Sequence, residues 1–137
     1  MSDAPRLNHL IETVIYAEDL DKAERFYRDV LGLRRFSASA AHRFFAVGHT
    51  VLLAFDPRES SVQLNLPQHG TTGSGHFAIQ IDPDQYDPWL RHLTSHGVII
   101  EKEHVWPKWS ARSIYFRDPA GNAVELITRP AWEENFR

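Results

Sequence analysis

The chain has 137 residues, 42% hydrophobic and 24% charged, enough for one domain that buries roughly two thirds of its unfolded surface. Its 15 Lys and Arg against 18 Asp and Glu give a net charge of -3 without a long basic run, which argues against nucleic acid as a partner, and no apolar stretch nears the roughly 18 residues of a membrane span. The absence of Cys excludes a disulfide framework and a thiol nucleophile, and MSDAPRLNHL lacks the pattern of a signal peptide, so a soluble, cytoplasmic protein is the expectation.

Residues 10 to 16, LIETVIY, read as a strand with Glu12 as its one discordant charge. A helix follows, capped by Asp19 or Asp21. Ala23, Phe26, Tyr27, Val30 and Leu31 recur on its inner side, Lys22, Glu24, Arg25, Arg28 and Asp29 cover its outer side, and Gly32 supplies a left-handed stop. Strands are expected around Arg43 to Val47 and Val51 to Phe55. The polar run ESSVQLNLPQHGTTGSG then marks the best internal boundary.

Beyond the boundary the order repeats. GHFAIQI is a strand, a helix starts at Asp87 with Pro88 in its first turn and stops at Gly97, a strand is placed near Val98 to Ile100, and a loop with Trp106 and Trp109 leads to the hairpin RSIYFRDPAGNAVELIT. Laying the first half over the second at an offset of 64 residues sets Glu12 on His76, strand on strand and helix on helix. Two readings fit this pattern: a duplicated module, or an α+β domain that alternates its elements.

Glu12, His76 and Glu125 stand in three such strands. A His with two carboxylates on one face can hold a divalent cation and leave positions open for substrate. Taken singly, a lone Glu such as Glu12 can instead pair with an Arg, and a lone His such as His76 can be a hydrogen-bonded core residue. Two ionised carboxylates buried together, however, need a cation or a proton to offset them.

The segments YAEDLDKAERFYRDVLGL, GHFAIQI and RSIYFRDPAGNAVELI together resemble the vicinal oxygen chelate superfamily, the grouping of glyoxalases, extradiol dioxygenases, fosfomycin-resistance transferases and bleomycin-resistance proteins. The resemblance spans nearly the whole chain. It implies an α+β fold of two βαβββ modules whose curved mixed sheets form a cup. Module one would cover about 7 to 57, a linker about 58 to 74, module two about 75 to 130, and a C-terminal tail 131 to 137.

By that resemblance the metal ligands are Glu12, His76 and Glu125. His9 misses the register of the first ligand, and the fourth ligand of glyoxalase I would fall on apolar Leu52 or Leu53, which speaks against that four-ligand activity. The ion implied is iron, manganese, nickel or zinc. Three protein ligands leave room for a small substrate to chelate through two neighbouring oxygens.

Tyr115 and Ser113 would turn their hydroxyls toward substrate, with cross-strand packing as the competing role. His69 is a candidate general base on a loop, or a solvated residue. Arg43 and Arg112 are candidates to neutralise an anionic substrate, with surface ion pairing favoured, and Trp106 and Trp109 can wall the cup or fill core. Relatives of this size imply a homodimer in which Glu12 faces His76 and Glu125 either across the interface or within one chain. The competing functions are a metal-free drug-binding protein of the bleomycin-resistance type and a fosfomycin-type thiol transferase.

Overall fold

The computed structural model of the protein describes residues 4 to 129, so the tail assigned to 131 to 137 lies outside the described residues. The elements run β1 Glu12–Tyr16, α1 Leu20–Arg25, β2 Arg34–Ala38, β3 His42–Val47, β4 Thr50–Phe55, α2 Pro57–Ser60, β5 His76–Gln80, α3 Tyr86–Ser95, β6 Lys102–Trp106, β7 Ala111–Arg117 and β8 Ala123–Ile127. Two four-stranded mixed sheets result, ordered β1-β4-β3-β2 and β5-β8-β7-β6. In each, the first strand runs parallel to the last and antiparallel pairs complete the rest. The same βαβββ order and the same strand order occur twice, so the fold is the duplicated α+β arrangement expected.

Asp19 is the cap of α1, its side chain accepting from the Lys22 amide at 3.0 Å. The helix then widens into a π turn over Phe26–Val30, where the Leu31 amide reaches back to the Phe26 carbonyl. The extra residue in that turn lets adjacent Phe26 and Tyr27 both meet the second module, against Phe116 and Phe77 respectively. Gly32 and Gly97, at φ values of 71° and 74°, end the helix that starts with α1 in the first module and α3 in the second.

Two elements depart from expectation. β2 carries no alternation in RRFSA; it is an edge strand with an irregularity between Arg35 and Ser37, held by backbone pairing to β3 that no local pattern announces. The strand placed near Val98 to Ile100 begins later, at Lys102. Val98 and Ile100 pack against the core as extended connector while Ile99 is exposed, and this half-buried pattern imitates a strand.

Glu24 also reverses its expected place. It is buried, and its carboxylate accepts from Arg28 at 3.0 Å, Arg35 at 3.0 Å and Arg43 at 2.8 Å. Burial alone would raise its pKa, but Arg35 and Arg43 outweigh that and hold the carboxyl below its ordinary value.

One core joins the two modules. Ile15, Tyr27, Phe45, Leu52 and Ala54 from the first half and Tyr86, Leu93, Ile114, Phe116, Val124 and Leu126 from the second belong to a single buried cluster. Across it Tyr27 Oη donates to Asp118 at 2.6 Å and His92 Nε2 meets the Val30 carbonyl at 2.6 Å. Because strand side chains alternate, the residues between these core positions, Glu12, Val14 and Tyr16 on one sheet and His76, Ala78 and Glu125 on the other, point away from the shared core.

Candidate metal centre

His76 opens β5 and Glu125 sits mid-way along β8, one register step apart: His76 pairs with Ala123, and Ala78 with Glu125. The two alanines leave space beside both functional side chains. His76 Nε2 stands 3.2 Å from Glu125 Oε1, with the Glu125 side chain buried and His76 half exposed.

The start of β5 is tied down by the hairpin turn. Asp118 accepts from the amides of Ala120 and Asn122 and from the Asn122 side chain, and Asn122 Oδ1 in turn accepts from the Gly75 amide at 2.8 Å. The DPAGN motif is thus a turn that fixes the residue before His76.

His76 Nδ1 lies 3.0 Å from the Ala123 carbonyl oxygen, which can only accept, so Nδ1 carries the hydrogen. In the neutral ring the lone pair then belongs to Nε2 and faces a carboxylate oxygen. Two acceptors at 3.2 Å are stable only with a proton or a cation between or beside them. The spacing is close to the roughly 3.0 Å expected for two ligands at right angles on an ion with bonds of about 2.1 Å. A nitrogen and a carboxylate oxygen suit a first-row divalent ion.

Glu125 is itself oriented. Ser113, fully buried on β7, donates to Glu125 Oε2 at 2.5 Å and accepts from Trp106 Nε1 at 3.0 Å. Tyr115 is the register partner of Glu125, and its ring lies 6.2 Å from that of His76. Burial, with a hydrogen bond to Glu125, raises the Tyr115 phenol above its ordinary pKa, so it keeps its proton at neutral pH. Beside this group an open hollow of about 490 Å³ is lined by His76, Lys102, His104, Trp106, Tyr115 and Arg117, among others.

Lys102, His104 and Arg117 were not singled out in the sequence. For Lys102 and His104 the signal was the alternation of KEHVW opposite Ser113 and Tyr115, hidden because the strand was placed too early, whereas Arg117 stands in the expected hairpin strand, two residues beyond Tyr115 on the same face. Trp109 packs with Trp106 against Ala111 and Ile127 as core.

The remaining candidates lie elsewhere. Arg112 alternates to the helix-facing side of β7, where its guanidinium covers the Tyr86 ring at 3.8 Å. Arg43 is committed to Glu24 and to Asp21, each at 2.8 Å, in the first module. His69 is bonded through Nδ1 to Tyr16 Oη at 2.7 Å and rests edge-on against Phe55, over the first sheet. Neither Arg43 nor His69 is among the residues lining the hollow beside His76.

Glu12 heads β1 and is exposed. It lies on the outward side of the first sheet, and among the described residues no three His, Asp or Glu side chains gather closely enough to hold a metal within one chain. The described residues contain no helix long and apolar enough to cross a membrane.

The comparisons with known proteins agree with this architecture. A lactoylglutathione lyase structure from Agrobacterium tumefaciens superposes with a TM-score of 0.83 at 40% identity, covering 89% of this chain and 94% of that one. The metallothiol transferase FosB of Staphylococcus epidermidis is 29% identical over 122 residues, 89% of this chain and 80% of the relative. A fosfomycin resistance protein FosX from Listeria monocytogenes, complexed with Mn(II) and 1S,2S-dihydroxypropylphosphonic acid, shares the fold with a TM-score of 0.72 at 20% identity, covering 96% of this chain and 98% of that one. The match to the family model runs over residues 6–126, and the chain belongs to the Glyoxalase/Bleomycin resistance protein/Dioxygenase superfamily.

Proposed function

We propose that the protein is a divalent-metal-dependent enzyme acting on a small substrate that chelates through neighbouring oxygens, with His76 Nε2 and Glu125 Oε1 as ligands from one chain and Glu12 as the third from a second copy. The observation that carries this reading is His76 Nε2 facing a buried carboxylate oxygen of Glu125 at 3.2 Å while Nδ1 is taken up by the Ala123 carbonyl, a nitrogen and an oxygen that a divalent ion or a proton must join. The relative complexed with Mn(II) supports it, as does the donor set itself.

The packing supports the part assigned to a second copy. Both sheets use their helix-facing sides in one core, which turns Glu12 away from His76. The outward side of the first module is also apolar: Val14 and Phe36 are 38% and 46% exposed, next to Phe44 and Phe55, and Leu10 just before β1 is 90% exposed. A two-fold partner laying this side over the hollow would cover apolar surface and deliver a carboxylate together.

A divalent ion held there supplies Lewis-acid polarisation of the substrate's adjacent oxygens. Tyr115, whose phenol stays protonated, offers a hydrogen-bond donor beside them. Lys102 and His104 on the same face form one wall of the hollow with Trp106, an amine and two rings toward an oxygen-rich substrate, while Arg117 there is paired with Glu101 at 3.1 Å.

Titrating metal-depleted protein with Mn(II) in a calorimeter tests the reading. One ion per chain is expected, lost in His76→Ala and Glu125→Gln; full binding by both variants would overturn it. Screening the loaded protein with hemithioacetals, catechols, and epoxides plus a thiol then assigns the reaction class.

A further inference from the structure

We infer that Trp106 and Ser113 are positioning residues that set the orientation of Glu125, acting as a two-step hydrogen-bonded relay from the wall of the hollow to the carboxylate. The inference rests on the metal reading above and assigns both residues a role different from substrate contact.

Two hydrogen bonds link the wall of the hollow to the carboxylate. Trp106 Nε1 is a donor only, and it points at Ser113 Oγ at 3.0 Å. Ser113 is fully buried, so its hydroxyl has no competing water, and with its acceptor side occupied its single proton goes to Glu125 Oε2 at 2.5 Å. Glu125 is left with Oε1 turned toward His76 Nε2. The cross-strand register enforces the chain: Trp106 pairs with Ala111, diagonal to Ser113, and Ser113 pairs with Ile127, diagonal to Glu125.

Without the Ser113 hydroxyl the carboxylate is less tightly oriented, with Tyr115 as its remaining hydroxyl partner. Its Oε2 also loses a charge-assisted hydrogen bond in a buried site, and the Trp106 N–H loses its acceptor. Partners of this kind around a ligand typically change metal affinity by about 10- to 100-fold. Trp106→Phe keeps an aromatic wall and removes only the N–H, so its effect is smaller and passes through Ser113.

The experiment measures Mn(II) affinity by calorimetry and the Mn(II) paramagnetic resonance line shape in the wild type, Ser113→Ala, Ser113→Cys, Trp106→Phe and the double variant Trp106→Phe with Ser113→Ala, with thermal unfolding of the metal-free proteins alongside. A loss of about 10- to 100-fold is expected in Ser113→Ala. A smaller loss in Trp106→Phe, partial recovery in Ser113→Cys, and a double variant no weaker than Ser113→Ala complete the expected set, because a relay is not additive. Unchanged affinity and line shape in Ser113→Ala, or strictly additive losses, would overturn the relay. If Ser113→Ala is too unstable to purify, an affinity in Trp106→Phe equal to the wild type overturns it equally. Loss of binding in His76→Ala with none in Ser113→Ala removes the relay and leaves the metal site intact, whereas Mn(II) binding unaffected by His76→Ala and Glu125→Gln removes the site reading itself.

Discussion

Glu24 and Glu125 show how a carboxylate's neighbours decide what it does. Glu24 is surrounded by Arg28, Arg35 and Arg43, all permanently charged, so its negative charge is matched and its protonation disfavoured. Glu125 meets the Ser113 hydroxyl, the Tyr115 phenol and the His76 imidazole instead, none of them a permanent cation. The first arrangement holds a fold together and the second offers a place for a ligand. The sign of the pH effect follows for Glu24. A folded-state pKa below the unfolded value of about 4.3 gives stability that is present above about pH 4.3 and is lost as pH falls through the folded value. In thermal unfolding between pH 5 and pH 3, the wild type is expected to lose more stability than Glu24→Gln; equal slopes would contradict the assignment.

At the level of elements, the two modules use the same devices at matching places. The long helix of each module ends on a glycine in the left-handed region, and an added Cβ at Gly32 would meet nothing within 4 Å. The cost of Gly32→Ala is therefore backbone conformation alone, about 1–2 kcal/mol, measurable by urea unfolding. The hairpin between β7 and β8 is the more demanding element. Its Asp118 ties the turn to α1 through Tyr27, and its Asn122 ties it to Gly75, so one short motif anchors both the helix of the first module and the strand that presents His76. This is a physical reason for the motif DPAGN to sit beside the candidate centre.

At the scale of the whole molecule, the shared core turns the face bearing Glu12 and the face bearing His76 and Glu125 outward, so the proposed three-ligand site requires a second copy. Mixing Glu12→Gln protein with His76→Ala protein tests this. If Glu12 serves the partner's His76 and Glu125, each mixed dimer regains one intact site of its two, and Mn(II) binding reappears on exchange of subunits. If the site lies within one chain, mixing restores nothing, because every chain keeps its own defect.

Much of this protein was legible before any coordinates. Alternation and helical spacing located β1, α1, β4, β5, α3 and the β7–β8 hairpin and set Ser113 and Tyr115 on one side of their strand, a local property of period two, while the family resemblance put His76 and Glu125 with them. The edge strand β2, the burial of Glu24 and the start of β6 were not legible, because each depends on contacts with residues distant in sequence: β3, the three arginines, and Ser113 with Tyr115. Local pattern likewise says nothing about which way one sheet turns relative to another. That orientation is decided by Tyr27 on Asp118, Phe26 on Phe116 and His92 on the Val30 carbonyl, nonlocal contacts that exist only once the two halves have met. The sequence by itself determined most of the elements and the members of each strand face, and through its family resemblance the two modules. Tertiary structure alone decided that the face bearing Glu12 and the face bearing His76 and Glu125 look away from each other, because the helices that could bury either sheet were already shared between both.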